Sequence, residues 1–540
     1  MTSLRTRTAA VLASVALAAS ACSGGDDGPA EPPADQTSDS GTASESSPEP
    51  SGDVGSTSWG PTAAEMQQAR AYVDELSTDE LAGQLVIATY DGTDAPVDLV
   101  RDLHLGGVIA MEPNIESVDQ VMQVNETLQE ESGRPYPLWL SVDQEGGIVN
   151  RLNDTMTPFP TYMTYGAANR PGITKRAAGA SGEELRAAGF TAVYSPDADV
   201  TAGPQDPTIG SRSAGSRPAL VSRTVRASLR GYEAAGIVSV IKHFPGHGAL
   251  TADSHESLPT QQEPLRRVRK RDYKPFVDVI EAGAPAIMIG HIDIPALDDG
   301  VPASLSRKVI TGELRKRLGF EGVVLTDAMN MGAIVDEYGA AEAAVMTVKA
   351  GSDLVLMPAD TQAAVEAIGE AIESGEIPEK RARASATRTV ALLLHEAAEP
   401  APETEPGENG KASLAASKAA ITMVDGPCNG AALIDGAVRP IGDGDAVDAF
   451  TAAAERAGVE LGSGTEVSFI GWGGAGVDGD VVVATDTPYA LGSSSASKAK
   501  IALYGETPQA MRALLDVLQG KAKARGSLPV PVDGVARRGC

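Results

Sequence analysis

Lys242 to His255 reads KHFPGHGALTADSH and follows the apolar run Ile237-Val-Ser-Val-Ile241. The run has the β-branched composition of a strand buried on both faces. The stretch after it carries three of the chain's 6 histidines and an aspartate. Pro245, Gly246 and Gly248 exclude a regular helix there. Reactive side chains gathered just beyond a strand end are how an α/β barrel builds an active site. The rest of the chain supplies the strands that such a barrel needs.

Eight strand candidates follow one another: Leu85–Tyr90, Gly107–Met111, Leu138–Asp143, Ala192–Ser195, Val238–Lys242, Ala286–Gly290, Gly322–Thr326 and Asp353–Met357. Most are separated by helix-like segments, among them Gly182–Ala188, Leu220–Ala235, Leu265–Ala282 and Ala340–Ala350. Ser77-Thr-Asp-Glu80 opens the region as a capping box. This alternation is that of a (β/α)8 TIM-type barrel, although strand counting alone leaves a doubly wound open sheet in play. Polar residues favour the barrel. Asp143 ends the third run, Lys242 and His243 the fifth and Asp327 the seventh, while His291 and Asp293 follow the sixth. Barrel closure would bring all of them to one face.

The catalytic region is expected over residues 59–395. EAAEPAPETEPGENGK (396–411) reads as a linker, and residues 412–540 as a smaller α/β sandwich domain. Its strand candidates are Ala432–Ile434, Val467–Ile470, Val481–Ala484 and Ile501–Tyr504, and its helices Ala446–Ala457 and Pro508–Gln519. GWGGAG (Gly471–Gly476) lacks the Lys-Ser/Thr of a phosphate loop and reads as a turn-rich loop.

A formal net charge of −29 excludes a general nucleic-acid binder, which needs a basic face. Aromatic residues make up 4%, too few for rows of exposed stacking rings. Arg5 and Arg7 precede the apolar run Ala9–Ala19, which ends in Ala19-Ser20-Ala21-Cys22. That is an export signal over residues 1–21. The cysteine after small residues resembles a lipobox, with Cys22 as the lipidated first residue, and plain secretion is the alternative. Residues 22–58, rich in Ser, Gly, Pro and acids, read as a disordered tether. The chain would then meet the membrane only through its N-terminal lipid, on the extracytoplasmic face. Two other cysteines, Cys428 and Cys540, form a candidate disulfide in an exported protein, with free thiols as the other option.

The histidine loop admits three readings. A metal site is one, but Pro245-Gly246 denies His243 and His247 the one-face helical spacing of a zincin. A structural loop is the second. The third is acid–base catalysis. Asp253 and His255 stand two apart, so in extended chain they face the same way. The carboxylate would then fix the imidazole's tautomer and aim its other nitrogen at a substrate. Asp327, an acid at the end of a buried strand, is the candidate partner.

KHFPGHG followed by DSH resembles the loop of the NagZ-type β-N-acetylglucosaminidases of glycoside hydrolase family 3. VDQEGG (Val142–Gly147), SPDADV (Ser195–Val200), IGSRS (Ile209–Ser213), LRKRLGFEGVVLTDAMNM (Leu314–Met331) and AGSDLVLMP (Ala350–Pro358) extend the likeness across Thr62 to about His395. The resemblance implies a retaining glycosidase with an unusual acid/base, and neither a cofactor nor a metal is expected. Asp327 would be the nucleophile and His255, aligned by Asp253, the acid/base. Asp143, Arg151, Arg212, Lys242 and His243 would hold the sugar, Asp199 would support them, and His247 would organise the loop. The chain departs from the pattern at Ile148, where arginine is usual, and at Ala214-Gly215, where an aromatic is common.

The resemblance implies hydrolysis of terminal β-linked N-acetylglucosamine from cell-wall glycans or muropeptides. Two alternatives stand beside it. A phosphorylase would exploit a histidine that repels phosphate less than a carboxylate does. A non-catalytic wall-binding lipoprotein would have retired the barrel. No oligomeric state is implied.

Overall fold

The computed structural model describes residues 56–152, 155–535 and 538–540. The signal segment, Cys22 and nearly all of the tether lie outside these residues. Each of the eight barrel strands expected from the sequence forms: β1 Val86–Ala88, β2 Gly107–Ala110, β3 Trp139–Val142, β4 Ala192–Val193, β5 Val238–Phe244, β6 Ala286–Ile289, β7 Val323–Thr326 and β8 Val355–Leu356. They pair in parallel in the order β7-β6-β5-β4-β3-β2-β1-β8. A parallel bridge from Leu325 to Leu354 brings the two ends of this order together. The sheet is thus a nearly closed barrel rather than a doubly wound open sheet.

Period-two alternation fills the barrel. Ile87, Trp139, Val238, Val240, Met288, Val323, Leu325 and Leu356 belong to one buried cluster inside it. The intervening residues of the same strands, such as Leu140, Ile241, Ile287 and Val324, pack in the clusters beneath the outer helices. Those helices include α1 Pro171–Ala187, α2 Pro218–Ala235, α3 Leu265–Arg271, α4 Tyr273–Ile280 and α5 Glu379–Ala397. Asp353, just before β8, is a buried fastener of the wall. It accepts from Val324 N (2.9 Å) and lies 2.5, 3.3 and 3.0 Å from Arg315, Arg381 and Arg388.

The stretch read as a linker is neither free nor wholly irregular. Its first two residues finish α5, and its last two begin α6, Gly410–Ala420. Between them, Arg186 donates to the carbonyls of Glu399 and Pro400, and Asn409 N donates to Glu184. Barrel side chains therefore supply the partners that its polar composition could not provide by itself.

The second domain is a five-stranded sheet ordered β9-β13-β12-β11-β10. The strands are β9 Thr422–Asp425, β10 Val438–Gly442, β11 Thr465–Ile470, β12 Asp478–Ala484 and β13 Ser495–Ala502, and β9 is antiparallel to β13. Ala432–Ile434 is not a strand. Leu433 N and Ile434 N instead donate to Leu518 O, which ends the helix Pro508–Leu518. The domain buries Ala419, Val424, Ile470, Ala484 and Tyr504 against the barrel's Met163, Ala167 and Ala168. Thr161 and Thr164 hydroxyls both donate to the Tyr504 carbonyl. Cys428 and Cys540 are joined in a disulfide. No helix among the described residues is long and apolar enough to cross a membrane.

Candidate active site

The alternation that fills the barrel also selects what reaches its mouth. Val323, Leu325 and Asp327 form one inward row, Val238, Val240 and Lys242 another, and Trp139, Ser141 and Asp143 a third. The first members of each row are apolar or small and fill the barrel. The last is ionisable and enters a pocket of about 410 Å³ at the strands' C-terminal ends. A register shift between Ile241 and Phe244 lets His243 line the same pocket as its neighbour Lys242. Arg151, Arg212, His247 and His255 line it too.

The floor is a buried network centred on Glu145, which the sequence reading passed over. Its carboxylate takes Arg212 as a two-pronged pair, 2.8 Å at both Nε and Nη2, and lies 2.5 Å from Lys242 Nζ. Lys242 Nζ is also 2.5 Å from Asp143 Oδ1. Burial alone would push Glu145 up, but Arg212 and then Lys242 hold it well below the usual carboxylate range. Burial likewise works against the Lys242 ammonium, and Asp143 and Glu145 more than offset it. Both cations are therefore permanently charged and fixed in place. Removing one member of such a buried set leaves uncompensated charge, which costs about 3–5 kcal/mol.

Asp199 organises the start of the loop. Its Oδ2 accepts from His243 Nδ1 (2.8 Å), and its Oδ1 accepts from His247 N (2.5 Å). Burial pushes Asp199 up to about 6. Burial also lowers His243, with Asp197 and Asp327 opposing, so its ring is neutral near pH 7. With its proton on Nδ1, His243 turns Nε2 towards Arg212 Nη2, 3.4 Å away. Arg212 Nη2 also lies 3.4 Å from Asp197 Oδ2.

His247 has a definite place. It is buried, and its Nε2 pairs with the hydroxyl of Ser254, 3.0 Å away, between Asp253 and His255. Burial, helped by His243, drives its pKa down to about 3. Asp253 Oδ1 accepts from His255 N (2.9 Å) and Nδ1 (2.7 Å). The His255 ring is exposed at the pocket mouth, with Nε2 unengaged by any described residue. Asp253 is held below its usual value: burial pushes it up, but the backbone and side-chain bonds from His255 together outweigh it.

Asp327 is the one carboxylate among the pocket-lining residues with no ion-pair partner among the described residues. Burial pushes it up, but the charge that His243 and His291 take on in acid, with the Ala328 amide, brings it to about 2. It is ionised at any working pH and faces open space. Arg151 also lines the pocket, and its buried Nε has no partner among the described residues. A carboxylate nucleophile, an exposed imidazole aligned by a carboxylate, and a floor of fixed donors can together carry a double displacement at an acetal carbon.

Two residues expected at the mouth serve structure instead. His291 is buried, spending Nδ1 on Ser304 and Nε2 on the Ala328 carbonyl. Asp293 caps Gly300 N at 3.0 Å. Asp197, Asp199 and His243 form a grouping with metal-ligand geometry, their donor atoms lying within 4.8 Å of one another. Asp199 and His243 already bind each other there, and Arg212 presses its charge on Asp197, so this grouping suits hydrogen bonding better than a cation.

The second domain reaches the segment that carries Arg212. Ser211 donates to buried Asp486, and the ring of Trp472 lies so close to Gly210 that a Cβ there would meet it at 2.9 Å. The glycine-rich loop is a turn, as expected, and its tryptophan covers the backbone beside the pocket residues Thr208 and Ile209.

The family described as "Glycosyl hydrolase family 3 N terminal domain" matches residues 77–392. Beta-hexosaminidase A of Pseudoalteromonas piscicida is 35% identical over 280 residues, 48% of this chain and 47% of that protein. Beta-hexosaminidase LpqI of Mycobacterium tuberculosis is 32% identical over 324 residues, 58% of this chain and 82% of that protein. The structure of a glycoside hydrolase family 3 beta-N-acetylglucosaminidase from Paenibacillus sp. str. FPU-7 superposes with a TM-score of 0.75 at 30% identity. That superposition covers 85% of this chain and all of the other, so the likeness extends into the second domain.

Proposed function

The chain belongs to glycosyl hydrolase family 3 and is a glycoside hydrolase of the β-hexosaminidase kind, and on that premise we propose that it releases terminal, non-reducing β-N-acetylglucosamine by a retaining mechanism. Cell-wall fragments are the proposed substrates. An exported protein tethered through lipidated Cys22 is the proposed setting. The observation that carries the mechanism is the pairing of chemistries in one pocket: Asp327, ionised and without an ion partner, and His255, aligned by Asp253 at the open side.

In the first step Asp327 attacks the anomeric carbon and His255 Nε2 gives its proton to the departing oxygen, leaving a glycosyl–aspartate ester. In the second, neutral His255 takes a proton from water as that water attacks the same carbon, and Asp327 leaves as carboxylate. Asp253 keeps the proton on Nδ1, so that Nε2 is the atom that exchanges. Lys242, Arg212, Arg151, His243 and Asp143 present donors and acceptors to the sugar's hydroxyl and acetamide groups. Rigid placement of such groups is worth several kcal/mol in the transition state, about 7–11 kcal/mol at best.

The test is turnover of an aryl β-N-acetylglucosaminide by the native chain and by Asp327→Ala and His255→Ala, with and without phosphate. Free N-acetylglucosamine as product, and a loss of about 10⁴-fold or more in Asp327→Ala, are expected. Near-native turnover by Asp327→Ala would remove it as nucleophile. Sugar 1-phosphate as main product would replace hydrolysis by phosphorolysis.

A further inference from the structure

The outer wall of the barrel carries a feature that the glycosidase reading does not use. Between α1, α2 and α4 lies a groove of about 540 Å³ lined by Lys175, Arg223, Arg226, Arg230 and Lys274. Asp278 lines the groove as well and is paired with Lys274. Among the described residues no carboxylate forms an ion pair with Lys175, Arg223, Arg226 or Arg230, and all four are exposed. Ser222 also lines the groove. It is 4% exposed, and its hydroxyl has no hydrogen-bond partner among the described residues. A second hollow, lined by Arg266, Arg267, Lys270 and Arg271, flanks the same first turn of α2 at Pro218, but there Arg267 is paired with Glu263 and Arg271 with Asp272, so among the described residues only Arg266 and Lys270 add unpaired charge.

So dense a cationic track is unexpected on a chain of net charge −29. Self-repulsion disfavours gathering like charges without anions, and surplus acid elsewhere on the surface could have been drawn in to pair them. We propose that this groove binds a non-nucleotide polyanion, a polymer whose repeating units carry phosphodiester groups.

Three observations choose that ligand class. Arg223, Arg226 and Arg230 rise along one face of α2 over about 10 Å, so they present charge in a line rather than converging on one point. A line of guanidinium forks matches successive phosphates, each of which accepts two N–H bonds. Secondly, neither hollow is lined by an aromatic residue on which a base could stack. Thirdly, the cations line a concavity, and the apolar residues among them are only proline and alanine. A helix that docks on lipid places large apolar side chains beside its cations, and none stands here. The unpartnered Ser222 hydroxyl offers a further hydrogen bond to a phosphate oxygen.

Binding of a short fluorescent poly(glycerol phosphate) chain to the full-length protein tests the proposal, with inorganic phosphate and phosphatidylglycerol vesicles as parallel probes. Saturable binding to the polymer is expected, weakening by about tenfold or more in the triple variant Arg223→Gln, Arg226→Gln, Arg230→Gln, with a shallower salt dependence. Lys175→Gln with Lys274→Gln should weaken it independently. Aryl glycoside turnover should be unchanged in both variants, which also shows that they fold. Absent polymer binding at low salt, or unaltered affinity in both variants, overturns the proposal. Equal affinity for inorganic phosphate would make it a single-anion site instead. Arginine-dependent binding to vesicles alone would replace the polymer by a membrane.

Discussion

Glu145 Oε1 lies 2.5 Å from Lys242 Nζ, and the same carboxylate grips the guanidinium fork of Arg212. Two desolvated cations thus owe their positions to one anion that touches no open space itself. Glu145→Gln keeps the shape and removes the charge. Lys242 retains Asp143 and Arg212 retains Asp197, so the loss should fall at the lower end of the buried-pair range, about 3 kcal/mol of stability. The Michaelis constant should rise about tenfold or more, because the groups proposed to grip the sugar lose their fixed aim. Thermal melts and steady-state kinetics check both. An unchanged Michaelis constant would mean that Lys242 and Arg212 are held by something else.

The His247–Ser254 contact predicts an effect on the loop rather than on binding. Ser254→Ala leaves both His247 ring nitrogens buried without a partner, at a local cost of about 1–3 kcal/mol. His255 should then sample more positions. The expected result is a fall in kcat with little change in the Michaelis constant for a small aryl glycoside, and faster amide exchange over residues 250–257. The pH direction follows from burial. His247 titrates at about 3 in the folded chain against an ordinary 6.5, so the unfolded chain binds the extra proton first. Its contribution to stability is present above 6.5 and is lost as pH falls towards 3, and amide exchange in the loop should quicken over that window.

The barrel was legible because each strand is buried on both faces and so reads as a short apolar run bounded by turn residues. The ionisable ends of those runs gave Asp143, Lys242 and Asp327 directly. Glu145 was not legible in the same way. It lies beyond the strand end, where a glutamate is by default solvated, and its partner Arg212 is 67 residues later in sequence. His247 was visible as a residue but not as a contact, because Ser254 carries no distinguishing pattern. In the second domain, β9 follows α6 with no break in its apolar run, so the helical period hides the strand. Ala432–Ile434 reads as a strand because it is a short apolar run, but Leu433 and Ile434 are buried beneath a helix end rather than in a ladder.

Asp353 predicts how the barrel fails in acid. Burial pushes its pKa up, yet Arg315, Arg388 and Arg381 bring it from an ordinary 3.8 to about 2. A depressed acid stabilises the fold above its unfolded value and loses that contribution as pH falls through its folded value. Stability should therefore be complete above about pH 4 and drop by about 2 kcal/mol between there and pH 2 from this group. Asp353→Asn should abolish that component and also cost about 3–5 kcal/mol at neutral pH, because three arginines lose their common anion. Urea melts at pH 3 and pH 7 measure both quantities. A variant whose stability falls in acid as steeply as the native chain would show that other carboxylates dominate.

The contact between Ser211 and Asp486 makes the second domain part of the site's support. Arg212 follows Ser211 directly, and the short 3-10 turn Gly210–Arg212 is held from the barrel side by Glu145 and from the other domain by Asp486. Asp486 is buried, and burial raises its pKa. Removing its acceptor by Asp486→Ala frees the turn on one side and should let Arg212 drift from its place in the pocket, where it is proposed to hold the sugar. A misplacement of about 1 Å costs up to about a hundredfold in kcat/KM, and a turn still held by Glu145 should lose about tenfold. Asp486→Asn keeps an acceptor for the Ser211 hydroxyl and should recover most of the loss, whereas a merely destabilised domain would not distinguish the two variants at equal melting temperature. Kinetics of both variants beside their melting curves decide the matter. If Asp486→Ala melts lower but turns over normally, the contact only glues the domains together.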